Sequence, residues 1–393
     1  MTETAAPRTQ TPDRRFWTPL RIALVVLMLP AINFAAPRLF SDQPDTPPAE
    51  AIAPLRDAAL QIVQRNELAR DDGAVYAVDV TQLATYAALA GDRELYDPLR
   101  DIILNKLLIR RVEGDPAHGM VAWRHMPEPP HHDASGTTEA LRAAEALYAG
   151  VQAFGLTEDR AAIKLIVDAY CRHATPPGET PWMIRNYFNL HPEVYNFITN
   201  SFLVDYDPDL LTVLAEDFDE PEWADVTEKS AALIDKAVTP AGLLHQMIRP
   251  EVGTIMPHYA AEGIYSANGV EQLSNVLTVA ERSNTTNPAV ARRVVDFCRK
   301  RLHNLRLYYD ADTGRRLRGN NDTWAGVETW GPLLRLSIEL DEPSIQREAL
   351  RNVIHLSSGF PEYEGQDRLY LLGEALLALQ YAVRASDERN PSP

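Results

Sequence analysis

From about residue 50 onward, apolar residues recur at i, i+3, i+4 and i+7, and no convincing run of strict alternation breaks the series. That period belongs to helices with one buried face, so an all-α body is expected. Four breaks between helices place an acidic residue or Asn directly before proline: Asp97-Pro98, Asp207-Pro208, Asn287-Pro288 and Glu342-Pro343. Asp and Asn favour the N-cap and proline favours the first helical position, so each joint reads as the opening of a helix. The joints divide the chain into pairs: 80–89 with 98–110, 138–154 with 158–172, 194–203 with 208–217, 269–280 with 288–305, and 327–340 with 343–356. The single helices 367–383 and 49–64 would close a sixth pair.

First members of the pairs are rich in Ala and Leu (ATYAALA, ALRAAEALYAGVQAF, LLGEALLALQYAV), as buried inner helices should be. Second members carry more charge (LIRR, RKRL, REALRNV). This is the pattern of an (α/α)6 toroid, a six-hairpin barrel. A repeat solenoid would show a regular period, and the spacing here is irregular. Loops from first to second helix are short, whereas 112–136, 174–193, 239–268, 306–326 and 357–366 are long. In a ring of parallel inner helices all the long loops emerge at one end, where a cleft would form.

Ahead of this body, residues 22–29 (IALVVLML) are unbroken apolar sequence, preceded by Arg8, Arg14, Arg15 and Arg21. The combination has the charged and apolar regions of an export signal, and no good small-residue cleavage site follows it. The expected organisation is therefore a cytoplasmic start and signal anchor over 1–40 and a Pro-rich linker over 41–54. The toroid domain follows over 55–385, with a disordered tail over 386–393. The body would sit outside the cytoplasm, secreted or held to the membrane by its N-terminal segment.

The 393 residues carry 38 Lys and Arg against 55 Asp and Glu, a net charge of −17. Such a balance argues against a nucleic-acid partner and disfavours polyanionic substrates. Two cysteines, Cys171 and Cys298, build neither a disulfide framework nor a Cys-rich zinc site. Among His125, His131 and His132, the intervening prolines forbid the i, i+4 helical spacing of paired histidine ligands, so no metal is expected. The chain has no GxSxG elbow, no phosphate-binding Gly-rich loop and no HExxH, and no cofactor is expected.

The long loops hold aromatic residues, including Trp123, Tyr187 and Trp324, together with Arg124 and Asn189. Aromatic faces suit the apolar faces of sugar rings, and Asn, Arg and carboxylates suit their hydroxyls. Acidic residues cluster at the predicted starts of inner helices: Asp79, Asp133 and Glu139, Glu193, Glu271, Asp322 and Glu328, and Asp367. Each alone is an ordinary helix-dipole partner, but a ring would bring several to one cavity. Glycosidic hydrolysis needs two carboxyl groups, one protonated and one ionised, and crowded carboxylates in a desolvated cleft supply the protonated one. Asn189, His191 and Tyr195 near Arg185 leave a polysaccharide lyase as a further reading.

Several segments then resemble, in order, glycoside hydrolase family eight, the (α/α)6 endoglucanases, chitosanases and xylanases. Residues 78–104 (VDVTQLATYAALAGDRELYDPLRDIIL) look like the family's first inner helix with its A-G-D turn. Residues 119–150 (GMVAWRHMPEPPHHDASGTTEALRAAEALYAG) are similar to its "aWr" stretch and second helix start. RNYFNLHPEVYNFI (185–198) is similar to its N-P-S-Y-F-x-P stretch, and IYSANGVEQL (264–273) to its Y-D-A-x-R segment. The resemblance implies the toroid and a carbohydrate substrate. It places the family's acid Glu at Val78 or, one place off, at Asp79, its sugar-distorting Asp near Thr138 and Glu139, and its base Asp at Ser266, with Asn268 and Glu271 nearby.

The resulting expectation is an inverting glycosidase acting on a polysaccharide, tied to envelope glycan or exopolysaccharide processing and to the machinery that makes it. Asp79 would be the general acid, Glu139 would hold the sugar, and Glu271 or Glu328 would be the base. Trp123, Arg124, Asp133, Tyr187, Asn189, Tyr195, Asn268 and Trp324 would contact substrate. The alternative is a glycan-binding or scaffolding protein that cuts nothing.

Overall fold

The computed structural model describes residues 47–127, 130–179, 181–249, 259–261, 263–319 and 322–389. The expected signal anchor therefore lies outside the described residues. Among those described, no helix is long and apolar enough to cross a membrane.

Among the described residues, twelve α-helices form six hairpins. They are α1 (Pro48–Gln64), α2 (Ala77–Leu89), α3 (Arg93–Ile102), α4 (Thr137–Phe154), α5 (Arg160–Cys171), α6 (Pro208–Phe218), α7 (Pro221–Lys236), α8 (Leu273–Arg282), α9 (Pro288–Arg299), α10 (Val327–Glu339), α11 (Pro343–Ser357) and α12 (Arg368–Arg389). Even-numbered helices form the inner ring and odd-numbered ones the outer, with α1 packing on α12 to close the sixth pair. The expected linker thus gives way to helix at Pro48, and α12 runs on to Arg389, inside the span expected to be disordered.

The burial patterns explain the two roles. On α2 nearly every side chain is buried, because the helix is enclosed by α3, α4 and α12. On α3 only Leu95, Tyr96, Leu99 and Ile102 are buried, the single stripe of an outer helix. Inner helices run parallel, since neighbours meet at equal depth from their starts. In the second turn Gln82 Nε2 of α2 donates to Glu374 of α12 at 2.5 Å. Arg335 of α10 donates to that same carboxylate at 2.6 Å and to Glu281 of α8 at 2.5 and 3.0 Å. The starts of α2, α8, α10 and α12 therefore lie toward one end, whereas α6 begins deeper, its cap Asp207 beside Arg282 at the end of α8.

The third pair is α6 with α7, one helix later than the expected 194–203 with 208–217. The missed joint is Glu220-Pro221, where Pro221 takes the first turn of α7. Of the four joints read from sequence, Asp207 alone accepts a capping hydrogen bond, from Leu210 N at 3.0 Å. Pro98 lies inside α3, which Asp92 caps instead. Between α4 and α8 the upper half of slot three is filled by a 3-10 turn, Leu203–Asp205.

The long loops are stitched by short strands that the helical reading did not foresee. One sheet joins β1 (Val75–Tyr76), β2 (Arg124–Pro127) and β3 (Pro130–His131). A second pairs β4 (Phe188–Asn189) with β5 (Asn196–Phe197). The third orders β6 (Ser201–Phe202), β7 (Met247–Ile248), β9 (Ile264–Tyr265) and β8 (Tyr259–Ala261). The fourth pairs β10 (Val270–Gln272) with β11 (Tyr308–Asp310), antiparallel, Glu271 opposite Tyr309. Two to four residues are too few to show alternation in a sequence.

Candidate active site

At or beside the starts of inner helices stand Asp79, Glu139, Glu328 and Asp367, of which Asp79 and Asp367 are buried. They sense one another: the Asp367 charge pushes up the carboxyls of both Asp79 and Glu328, and Arg142 draws down those of Asp79 and Glu139. Helix starts distant in sequence thus share one field.

Asp79 does not fit the role of acid. It is fully buried, and both its oxygens accept from Arg70, at 2.7 and 2.8 Å. Arg70 is itself stacked 4.0 Å from the Tyr76 ring centroid. Burial pushes the Asp79 carboxyl up while Arg70 pulls it down, and a carboxylate clamped in a fork has no free oxygen for a leaving group. The half-buried neighbour on the helix is Val78, which cannot titrate.

Glu271 is likewise excluded as the base. Strand alternation half-exposes Val270 and Gln272 and turns Glu271 inward. It is 2% exposed, beside Ser266 and 3.8 Å from His245 Nδ1, and burial pushes its carboxyl well above the usual range. Such a group sits in the core, away from a water that a base would have to reach.

Glu139 and Glu328 remain, and they are alike. Each is half-buried in the first turn of its helix and folds its carboxylate back over an N-cap glycine, Gly136 or Gly326. A Cβ on either glycine would overlap the carboxylate oxygen. Glu328 Oε1 accepts from Gly326 N at 3.3 Å. Burial, with Glu374 and Asp367 adding repulsion, pushes Glu328 up to about 7 against the pull of the helix-start amides. Burial also raises Glu139, with its own backbone amide, Arg142 and Arg282 opposing.

In the order α2, α4, α6, α8, α10, α12, helices α4 and α10 stand opposite each other.

Sequence reasoning missed Asp205, Arg142 and Asp207. Asp205 accepts from Thr138 Oγ1 at 2.5 Å beside the α4 start, and burial pushes it up to about 7, as it does Asp207. Arg142, one turn below Glu139, has no hydrogen-bond partner for its buried Nε. It forms no ion pair among the described residues, whereas Arg282 approaches Asp207 at 3.4 Å and Arg335 is doubly paired. These three arginines line a cavity of about 50 Å³ beneath the hollow with Glu145, Asp207 and Tyr381, so the floor is polar. Assigning 194–203 to a helix hid Asp205, and the Arg142 environment has no local signature.

Of the expected substrate contacts, Trp123, Arg124 and Asp133 form one knot. Trp123 Nε1 donates to Asp133 at 2.6 Å, and Arg124 donates to the same carboxylate at 2.9 and 3.2 Å while lying 4.4 Å from the Trp123 ring centroid. The Trp123 carbonyl accepts from Ala77 N at the α2 start. A matching knot precedes α10: Arg306 donates to Asp322 at 2.7 Å and stacks 3.2 Å from the ring centroid of Trp324, which is 43% exposed. Tyr187 and Asn189 reach the α4 start, since the Asn186 carbonyl accepts from Thr137 and Ala134 bridges Asn189. Asn268 is exposed at the rim, left-handed at φ 55°.

Tyr195 is placed elsewhere. It stands edge-on to Phe188, over a satellite core that includes Ile109 and Ala169, and its hydroxyl donates to Asp115. Arg185 is occupied by the carbonyls of Arg172, His173 and Ala174, so the residues grouped for a lyase do not converge on the hollow. His125 and His132 contact each other at 3.2 Å, and His132 also bonds the Lys106 carbonyl. Among the described residues no three His, Cys, Asp or Glu side chains are grouped to hold a metal.

No family model and no curated protein matches the sequence. Solved structures do match. An α-amylase from Clostridium perfringens superposes with a TM-score of 0.63 at 14% identity, covering 80% of this chain and 90% of that one. An endo-β-1,4-glucanase from Acetobacter xylinum gives 0.58 at 15%, covering 86% and 99%. A family-eight glycoside hydrolase from Teredinibacter turnerae, solved with xylobiose, gives 0.52 at 15%, covering 80% and 83%. The chain therefore has the six-hairpin fold of the family-eight glycosidases, in diverged form.

Proposed function

We propose that the protein is an inverting glycoside hydrolase acting on a polysaccharide, with Glu328 as acid and Glu139 as base. The observation that carries this is the pair of half-buried glutamates seated on N-cap glycines of opposed inner helices. Glu328, with a pKa near 7, holds a proton that it gives to the glycosidic oxygen as the bond to the anomeric carbon breaks. Glu139, pushed up by burial against the pull of its own amide, Arg142 and Arg282, is the partner assigned to take a proton from a water that attacks the opposite face. Water then resets both carboxyls. The Trp123–Arg124–Asp133 and Arg306–Asp322–Trp324 knots provide sugar-stacking edges on the rim. Export, with or without retention of the N-terminal segment, is part of the proposal and rests on the arginine-flanked run at 22–29. A role in envelope glycan processing follows from that location.

The test is release of new reducing ends from β-glucans, chitosan and xylan. Glu328→Gln and Glu139→Gln should each lower activity by about 10²–10⁴-fold, the usual contribution of a general acid or base. Full activity in either variant removes that assignment. A glycan-binding protein without catalysis is the second reading, favoured by Val78 and Ser266 standing where the family resemblance puts acid and base. It requires binding with no new ends.

A further inference from the structure

The net charge of −17 is not spread evenly. Outside the hollow, a surface groove of about 450 Å³ is lined by Lys300, Arg301, Tyr309, Arg315, Arg316 and Arg318. The cations come from two places: the end of α9 and the turn after β11. Arg301 builds the floor, donating to the carbonyls of Phe297 and Gly314 at 2.9 and 3.1 Å and lying 3.7 Å from the Phe297 ring centroid. Lys300, Arg315, Arg316 and Arg318 are exposed, and none is ion-paired to a carboxylate among the described residues. The turn also holds two acids, Asp310 and Asp312, and Asp310 is engaged with Thr313 N and Oγ1 at 2.7 and 2.6 Å. Uncompensated arginines held together in a concavity cost self-repulsion, which an anionic ligand relieves.

The groove lies against the carbohydrate site. On β11 successive side chains turn to opposite faces: Tyr309 lines the groove, and Tyr308 lies on the side that senses Glu328. One strand thus has Tyr308 on the side of Glu328 and Tyr309 toward the groove. We infer that this groove is an exosite for an acidic polysaccharide, one whose carboxylates recur along the chain and pair with Arg315, Arg316 and Arg318. Arginine forks suit sugar carboxylates. The inference rests on the carbohydrate reading of the hollow. It also corrects the argument from net charge, which averages over a surface that a polymer meets locally.

The experiment measures binding of polygalacturonate, a neutral mixed-linkage β-glucan, a DNA duplex and phosphatidylglycerol vesicles to the full chain. Polygalacturonate should bind, and Arg315→Gln/Arg316→Gln/Arg318→Gln should weaken it about tenfold or more, as expected for three charge pairs, with β-glucan binding unchanged. Binding to the parent should fall steeply in ~1 M salt, where the screening length is ~3 Å. Undiminished polygalacturonate binding by a folded triple variant, or by the parent in high salt, overturns the inference. So does equal binding of DNA or vesicles through the same arginines, which would mean that the groove reads bare charge. Glu328→Gln should hold polygalacturonate as the parent does, so exosite and catalysis can fail separately.

Discussion

Asp79 and Glu328 are both first-turn acids of inner helices, and their surroundings give them opposite uses. Arg70 takes both oxygens of Asp79, whereas Glu328 faces backbone amides and the charges of Glu374 and Asp367. A carboxyl raised to about 7 in the folded protein and near its ordinary value when unfolded binds its proton more tightly folded. Its stabilising contribution is therefore complete below about pH 4.5 and is lost as pH rises toward 7. Glu328→Gln should flatten that decline, so its melting temperature relative to the parent should rise between pH 5 and pH 8. A parallel pH dependence in both proteins would show that Glu328 is not titrating in this window. The acids of the site were legible in the sequence because first-turn positions follow from helix periodicity. Which of them was free was not, because Arg70 lies in a loop ahead of α2 and no spacing rule marks it as the clamp of Asp79.

At the scale of helices, four hairpins were legible because each joins an apolar helix to an amphipathic one through a short turn, and the pair α12 with α1 because these two helices were left over at the two ends. The third failed for a physical reason. HPEVYNFITNSFL contains apolar residues at helical intervals, but it is rich in aromatic and β-branched residues and in Asn, which favour the short strands and turns found there. Parallel packing of the inner ring depends on a buried network in which Arg335, 5% exposed, joins Glu281 of α8 to Glu374 of α12. Removing the arginine strands two carboxylates, Glu374 buried and Glu281 largely so, without their charge partner. Arg335→Met should therefore destabilise by about 3–5 kcal/mol in urea denaturation, and adding Glu281→Gln and Glu374→Gln should restore much of it. A loss below about 1 kcal/mol would mean that water reaches these acids.

On the proposed reading, the stereochemistry of cleavage is decided across the ring. Helices α4 and α10 stand on opposite walls, and an inverting pair needs roughly 6.5–9.5 Å between its carboxyls to leave room for a water. A retaining enzyme would need its carboxyls about 5–5.5 Å apart, with one of them bonding to the sugar. Glu139 and Glu328 are each folded onto their own helix start, which holds them against their own walls. On whichever glycan is cut, proton resonance spectra taken in the first minutes should therefore show a new reducing end of the anomeric configuration opposite to the linkage broken. A product of the same configuration would require a carboxylate to cross the hollow and attack, and the pairing of Glu139 with Glu328 across the ring would then be wrong even if both are essential.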